Sequence, residues 1–384
     1  MNVAFLTPEY PPLPSGGIGT ATQQLARGLV AAGHGAWVVA PGPGGAMDDH
    51  GVRVRFHDIA HPRGMGWFVV RRALAGEIRR LSATDGVDLV VAPDWLGLSA
   101  GMRTGIPIAV ACNGSATYFG AVLHEPVRRQ VRAAERLALR NADAVSAVST
   151  FTATETQALF ALDHTPTVIH NGVDLARFPD HDAPPEPGVI VHLGTLVRKK
   201  GTLDLTEAFS GVADAHPTAR LVVAGRDAPD RLTGAPSTWD LAATTLTPHA
   251  ARLVDRLGPV DHDEVATVLR RAALCLFPSH AEANPVAWLE AMAAGRAIVG
   301  YAHPWATEIV EHGVTGWLVP PGDVAALTRT VVECLEDPER LRTVGRRARK
   351  EAERRFSVDV LVERSVRWYA EVLDGRAHNG SCPP

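Results

Sequence analysis

Two glutamates, Glu282 and Glu290, stand eight residues apart in the run Phe277-Pro-Ser-His-Ala-Glu-Ala-Asn-Pro-Val-Ala-Trp-Leu-Glu-Ala-Met-Ala-Ala-Gly295. An apolar strand-length run ends at Phe277. Asn284 is suited to cap a helix, Pro285 to its first position and Gly295 to its end. The unsatisfied N–H groups near Val286 and Ala287 then make an anion site fit for a diphosphate. Glu282 lies just before the cap and Glu290 within the helix, so one carboxylate can reach sugar hydroxyls and the other a ribose diol. Two glutamates at this spacing are by themselves common and mostly solvated. The Pro-capped helix and the strand before it make the pattern specific.

A second stretch, Gly194-Thr-Leu-Val-Arg-Lys-Lys-Gly201, sets Arg198, Lys199 and Lys200 before a helix beginning near Thr202. Three cations beside backbone N–H groups fit a diphosphate clamp, and equally a solubilising turn. Near the start, Gly16 and Gly17 in Pro11–Gly19 permit close backbone approach to a ligand. Thr22 at the third glycine position, and the long gap from the first strand, separate this loop from the dinucleotide fingerprint; a plain turn stays open. Asp261-His262-Asp263 has the look of a metal-binding DxD, but it precedes the helical run Val265–Ala272, and capping is the stronger reading. There is no HExxH and no GxSxG. The arginines at 128, 129, 132, 136 and 140 can touch anionic lipid, yet glutamate and alanine are interspersed, which favours a solvated helix face.

These residues resemble family 4 of the retaining glycosyltransferases, which have the GT-B fold. The E-x7-E signature is matched by Glu282 and Glu290 in a "PS…E…P…LEAMA.G" context. The opening "PEYPPLPSGGIG", the run His170–Phe178 ("HNGVDLARF"), "LGTLVRKKG" and "GVTGWLVPPGD" extend the likeness over nearly the whole chain. The resemblance implies a nucleotide-sugar donor, a uridine diphosphate sugar by default, held mainly by the C-terminal domain, and an acceptor held mainly by the N-terminal one. It implies donor contacts from Gly16, Gly17, Thr195, Arg198, Lys199, Lys200, Asn284, Pro285, Val286 and Glu290, with Lys200, Glu282 and Asn113 nearest the reacting centre. Two positions depart from the family. Thr195 stands where an arginine is frequent, and Arg198 or Lys199 takes over that charge. Asn113 stands where many members carry a histidine; it can still bind a sugar hydroxyl, and it can equally start an Asx-turn before Gly114. No metal and no other cofactor is expected. The acceptor expected is a small natural-product or aminocyclitol scaffold. A lipid or polysaccharide acceptor at a membrane surface, or a nucleotide-sugar epimerase on the same fold, are the alternatives.

The elements that would position these residues can be read from the same sequence. Strand-length apolar runs at Val3–Leu6, Ala36–Ala40, Val87–Ala92, Ile106–Ala111, Ala144–Val148 and Thr167–Ile169 alternate with helical patterns at Ile18–Ala32, Trp67–Ser82, Pro126–Arg140 and Phe151–Leu162. After the Pro- and acid-rich run Pro179–Gly188 the alternation restarts at Val189–Leu193, Leu221–Ala224, Ala273–Phe277 and Ala297–Gly300. The fold class is therefore α/β, GT-B, with two Rossmann-like domains facing across a cleft. The expected divisions are an acceptor domain at 1–178, a linker at 179–188, a donor domain at 189–356, a last helix at 357–375 returning to the first domain, and a disordered tail at 376–384. The 384 residues suit two domains. A charged fraction of 21% and a net charge of −4 give no reason to expect nucleic acid as a partner. The scattered cysteines Cys112, Cys275, Cys334 and Cys382 lack metal spacing, and three lie in apolar runs, which favours reduced thiols and the cytoplasm. No run reaches the length of a membrane span. The Arg226–Ser237 stretch reads as a long loop, either a tolerated insertion or an element of substrate selection.

Overall fold

The computed structural model describes residues 1–13, 16–59, 66–179 and 185–375. Half of the expected linker (180–184), the loop residues Pro14 and Ser15, and the expected tail at 376–384 lie outside them. The chain forms two compact units, one of residues 1–172 with the segment starting at Val358, the other of Val173–Ser357.

The first unit runs β1 (Asn2–Leu6), α1 (Gly17–Ala31), β2 (Gly35–Pro41), β3 (Gly45–Asp49), β4 (Val52–His57), α2 (Gly66–Asp85), β5 (Leu89–Pro93), β6 (Ile108–Cys112), α3 (Ala116–Val122), α4 (Arg129–Arg140), β7 (Ala144–Ala147), α5 (Thr150–Phe160) and β8 (Thr167–Val168). Its sheet has the order β3-β4-β2-β1-β5-β6-β7-β8, parallel throughout except for β3 against β4. Both faces are covered, as a parallel sheet requires. Val3 and Phe5 enter one core with Leu29, while Ala4 and Leu6 enter another with Leu74 and Ile78.

The second unit runs β9 (Val189–Leu193), α6 (Thr202–Ala215), β10 (Arg220–Ala224), α7 (Thr238–Ala243), α8 (Pro248–Ala251), β11 (Val254–Gly258), α9 (Val265–Arg271), β12 (Leu274–Phe277), α10 (Val286–Ala293), β13 (Ala297–Tyr301), α11 (Pro304–Thr307), β14 (Gly316–Val319), α12 (Val324–Glu336) and α13 (Pro338–Arg355). Its six strands are parallel in the order β11-β10-β9-β12-β13-β14. Ile190, Leu221, Leu274 and Val299 supply its core from adjacent strands. The last helix, α14 (Val358–Leu373), belongs to the first unit, where Val362 packs so close to Gly28 of α1 that no Cβ would fit there.

The boundary differs from the expected one at 178. Val173 donates its N–H to the Phe356 carbonyl and pairs with Ser357, so residues 173–178 join the second unit. Glu186, expected in the linker, already donates its N–H to the Arg271 carbonyl. Backbone pairing, rather than proline content, sets the division.

Four strands lie outside the runs singled out in the sequence: β3, β4, β11 and β14. The β3–β4 hairpin turns through His50 and Gly51, both at positive φ, the backbone that a tight two-residue hairpin needs.

Candidate functional site

In the second sheet, β9 is followed through β10 and β11 to one side, and β12 through β13 and β14 to the other. The crevice beyond the carboxyl ends of β9 and β12 is the switch point at which open α/β sheets bind ligands. The loop after β9 carries Thr195 and Arg198–Lys200; the loop after β12 carries Glu282–Pro285. Topology therefore brings the two sequence-singled stretches together, 82 residues apart in the chain.

The join is tight. Lys200 Nζ donates to Glu282 Oε1 at 2.5 Å, and Ser279 Oγ donates to the same oxygen at 3.3 Å. The Lys199 carbonyl accepts the N–H groups of His280 (2.8 Å) and Ala281 (3.3 Å). Gly201, at φ 70°, abuts Pro278, where a Cβ would lie 1.8 Å from the carbonyl oxygen; no other residue fits. Gly194, at φ 146°, lets the Lys200 stem pass, since a Cβ there would lie 3.2 Å from Lys200 Cδ. His280 Nε2 lies 3.1 Å from Asp204 of α6, which also accepts the Tyr301 hydroxyl at 2.6 Å. Sequence reading missed this Asp204–Tyr301–His280 cluster, because its members are dispersed and belong to no motif.

Helix α10 starts one residue later than expected. Pro285 has ψ 119° and its carbonyl accepts the N–H groups of Trp288 and Leu289, so Pro285 takes the capping position and Val286 is the first helical residue. Asn284, expected as the cap, lies buried in the preceding loop. Glu290 follows on the second turn and is buried. Its Oε1 lies 3.6 Å from Arg177 Nη1 and 3.6 Å from His262 Nδ1 and accepts no hydrogen bond. Burial pushes the Glu290 carboxyl up to about 7, the nearby Arg177 guanidinium opposing. Arg177 also bonds the His262 ring and carbonyl. Neither residue was singled out as a site residue. Arg177 sits in the His170–Phe178 run, a signal that its role could have been sought. His262 is the middle of Asp261-His262-Asp263, whose expected caps do not form: Asp261 precedes a 3-10 turn without a side-chain capping bond. Among the described residues no group of three or more His, Cys, Asp or Glu side chains gathers around a point.

Arg198 is not turned to an anion site. It donates two hydrogen bonds to Asp230, at 2.6 and 3.1 Å, and holds that carboxyl far below its usual range, with Thr233 assisting. Together with Asp227, which accepts from Ser237 Oγ, the Trp239 N–H and Arg256, this pair ties down the 226–237 loop. Thr195 is half-buried beside Leu196, whose N–H donates to the Arg226 carbonyl. His192, behind the site on β9, is lowered to about 4 by burial and so is neutral near neutrality.

In the first unit, Gly16 caps α1 and Gly17 opens it, but the place expected for a phosphate holds a carboxylate. Glu9 Oε1 accepts the Gly19 N–H at 3.2 Å and lies where a Cβ on Gly16 would point. Asn113 directly follows β6 and lines a cavity of about 70 Å³ with Thr22, Ser146, Asn171 and Ser365. Its N–H donates to Asp94 Oδ1 at 3.0 Å and its side-chain amide to the Ala111 carbonyl at 3.2 Å. Asp94 is fully buried after β5, and burial pushes its carboxyl up to about 7; the Asn113 N–H pulls it back, and the Glu135 charge adds to the rise. Cys112, Cys275 and Cys334 are buried free thiols. No described helix is long and apolar enough to cross a membrane.

Comparison with known proteins places the chain in a family. The family "Glycosyltransferase Family 4" matches residues 15–177, and "Glycosyl transferases group 1" matches 175–351. A glycogen synthase of Mycobacterium tuberculosis is 28% identical, over 91% of this chain and 90% of its own. A 2-deoxystreptamine N-acetyl-D-glucosaminyltransferase of Streptomyces fradiae is 31% identical, over 66% of this chain and 61% of its own. An Anabaena protein solved in complex with UDP-glucose superposes with a TM-score of 0.75 at 20% identity, covering 97% of this chain and 100% of that one. The fold is thus GT-B and the chain is a glycosyltransferase. It belongs to family 4 of that class.

Proposed function

We propose that the chain transfers a sugar from a uridine diphosphate sugar to a hydroxyl of a small, aminocyclitol-type acceptor, with retention at the anomeric carbon and without a metal ion. The observation that carries this reading is the meeting of Lys200, Glu282 and the start of α10 at the switch point of the second sheet, with Glu290 one turn further along. The bond from the anomeric carbon to the diphosphate breaks while the acceptor oxygen bonds to that carbon on the same face. The acceptor proton passes to an oxygen of the departing diphosphate. Lys200 and the N–H groups at the start of α10 stabilise the charge that develops on the leaving group, and the site supplies orientation. Binding of the diphosphate draws Lys200 from Glu282, which frees that carboxylate for the donor's sugar hydroxyls. Glu290 accepts from the ribose diol. The ammonium of Lys200 and the helix dipole do the work that a metal ion would do on a diphosphate.

The UDP-glucose complex of the Anabaena protein supports the choice of donor, and the 2-deoxystreptamine enzyme supports the choice of acceptor. The glycogen synthase relative, matched over nearly its whole length, favours a second reading in which the acceptor is the end of a glucan chain. The test is incubation with UDP-glucose or UDP-N-acetylglucosamine and 2-deoxystreptamine or a short glucan, with products resolved by mass and proton NMR. Transfer with an α-linked product supports the reading, and the acceptor consumed decides between its two forms. An inverted linkage, or epimerisation of donor alone, overturns it.

A further inference from the structure

Glu290 is buried on α10, and its Oε1 accepts no hydrogen bond. A lone buried carboxyl keeps its proton, and a protonated carboxyl accepts hydrogen bonds poorly. Two neighbours bear on that balance. Arg177 Nη1 and His262 Nδ1 each lie 3.6 Å from Oε1. Arg177 ends the 3-10 turn Leu175–Arg177, and His262 opens the turn after β11.

The backbone around Arg177 is fixed at three points. The Val173 N–H donates to the Phe356 carbonyl. Asp174 Oδ1 accepts the Ala176 N–H at 3.0 Å, which caps the turn. Arg349 Nη1 of α13 donates to the Phe178 carbonyl at 2.7 Å and to the Ala293 carbonyl, at the end of α10, at 2.6 Å. That one nitrogen ties the segment carrying Arg177 to the helix carrying Glu290. The rest of the Arg349 guanidinium turns to Glu353, at 2.9 Å, and not to Glu290. Phe178 is buried, and the Arg177 guanidinium lies 5.5 Å from its ring centre.

The Arg177 guanidinium acts on Glu290 in two ways. Its charge, which persists at any working pH, favours the carboxylate against burial. It also donates to His262 Nε2 and to the His262 carbonyl. An arginine cannot accept, so Nε2 is the acceptor and the ring proton sits on Nδ1. Nδ1 is the nitrogen that faces Oε1. Two donors thus converge on one carboxylate oxygen, and both stop beyond hydrogen-bond length. A structural pair closes the gap, as Arg198 does on Asp230 at 2.6 Å. At Glu290 the charge is compensated while the oxygen stays free to accept from a ligand.

We propose that Arg177, acting with His262, is a positioning residue that keeps the Glu290 carboxylate ionised and open to the ribose diol of the donor. This rests on the reading of Glu290 as the ribose acceptor. The test is calorimetric titration with UDP-glucose from pH 6 to pH 8.5. Both ends of its diphosphate are esterified, so the probe's phosphates do not titrate in this range. Glu290 ionises at about 7, so the affinity of the parent should rise about tenfold across the range as the ionised fraction grows. Loss of an opposite charge at this distance should raise the midpoint by about one pH unit. Arg177→Gln and Arg177→Met should then bind about fivefold more weakly than the parent at pH 7, and within about twofold of it at pH 8.5. Arg177→Lys, which keeps the charge, should return the midpoint towards the parent's. Glu290→Gln should bind more weakly and lose the rise. A midpoint unchanged in both uncharged variants, a loss of affinity equal at every pH, or a midpoint in Arg177→Lys displaced as far as theirs would overturn the inference alone. A rise that persists in Glu290→Gln would assign the titration to another group and overturn it too. Binding by Glu290→Gln as tight as the parent's at pH 8.5, or no binding by the parent, would remove the ribose reading and the inference with it.

Discussion

Glu290 should make the folded protein less stable than a neutral isostere would, and increasingly so as pH rises. Its carboxyl is held at about 7 against a usual 4.5. The folded state therefore binds the proton more tightly than the unfolded state does. Below about pH 4 both states are protonated and the difference vanishes. Between 4.5 and 7 the unfolded state ionises first, so stability falls with pH; above 7 the loss is complete. At about 1.4 kcal/mol per tenfold difference in acidity, the full loss is about 3 kcal/mol, an upper figure because a buried site relaxes when charged. Glu290→Gln keeps the shape and removes the ionisation. In urea unfolding at pH 5 and pH 8, its advantage over the parent should grow by about 2 kcal/mol. The same variant should bind the donor nucleotide less tightly while losing less in turnover. Stability curves that run parallel at the two pH values would refute the burial argument, and an unchanged donor constant would remove Glu290 from the ribose.

Lys200→Ala should lower turnover about a hundredfold, the scale seen when one preorganised charge-stabilising donor is lost, and steady-state rates of Lys200→Ala and Lys199→Ala check the register, since the neighbour should cost far less. Asp230→Asn breaks the two-hydrogen-bond ion pair with Arg198, so the 226–237 loop should become the first site of limited proteolysis while nucleotide affinity holds. Activity should survive excess EDTA; full loss restored by manganese would sink the metal-free mechanism. Asn113→Ala should cost up to about tenfold in rate, one hydrogen bond's worth, and Asn113→His should add an inflection near pH 6.5 to the rate profile; if both match the parent, Asn113 serves only its turn.

The alternation of strand and helix was legible because fully buried parallel strands are continuous apolar runs: Val3–Leu6 and Val189–Leu193 need no partner to be recognised. The strands overlooked are of a different kind. In β4, buried Val52 and Val54 alternate with exposed Arg53 and half-buried Arg55, and β11 (Val-Asp-Arg-Leu-Gly) is largely exposed, so neither shows a run. At the site, the two stretches that topology joins were each legible from local signals, cations before a glycine and carboxylates around a prolyl helix start. Their mutual engagement was not. That Lys200 would pair with Glu282, that Arg198 would face Asp230, and that Arg177 and His262 would flank Glu290 depends on contacts across 28 to 113 residues of chain, which no local pattern encodes. The capping of α10 was off by one because Pro285 fits either side of a helix boundary, and only its ψ decides.

The claim on which the rest depends is that the switch point of the second sheet holds a nucleoside diphosphate. Calorimetric titration of the parent, Lys200→Ala and Glu290→Ala with UDP tests it directly, with GDP and ADP as controls for the base. UDP should bind the parent at one site, with the constant weakened at least about tenfold, about 1.4 kcal/mol, in each variant. Binding of UDP that is equally tight in all three proteins, or no binding of any of the three nucleotides to the parent, would contradict it.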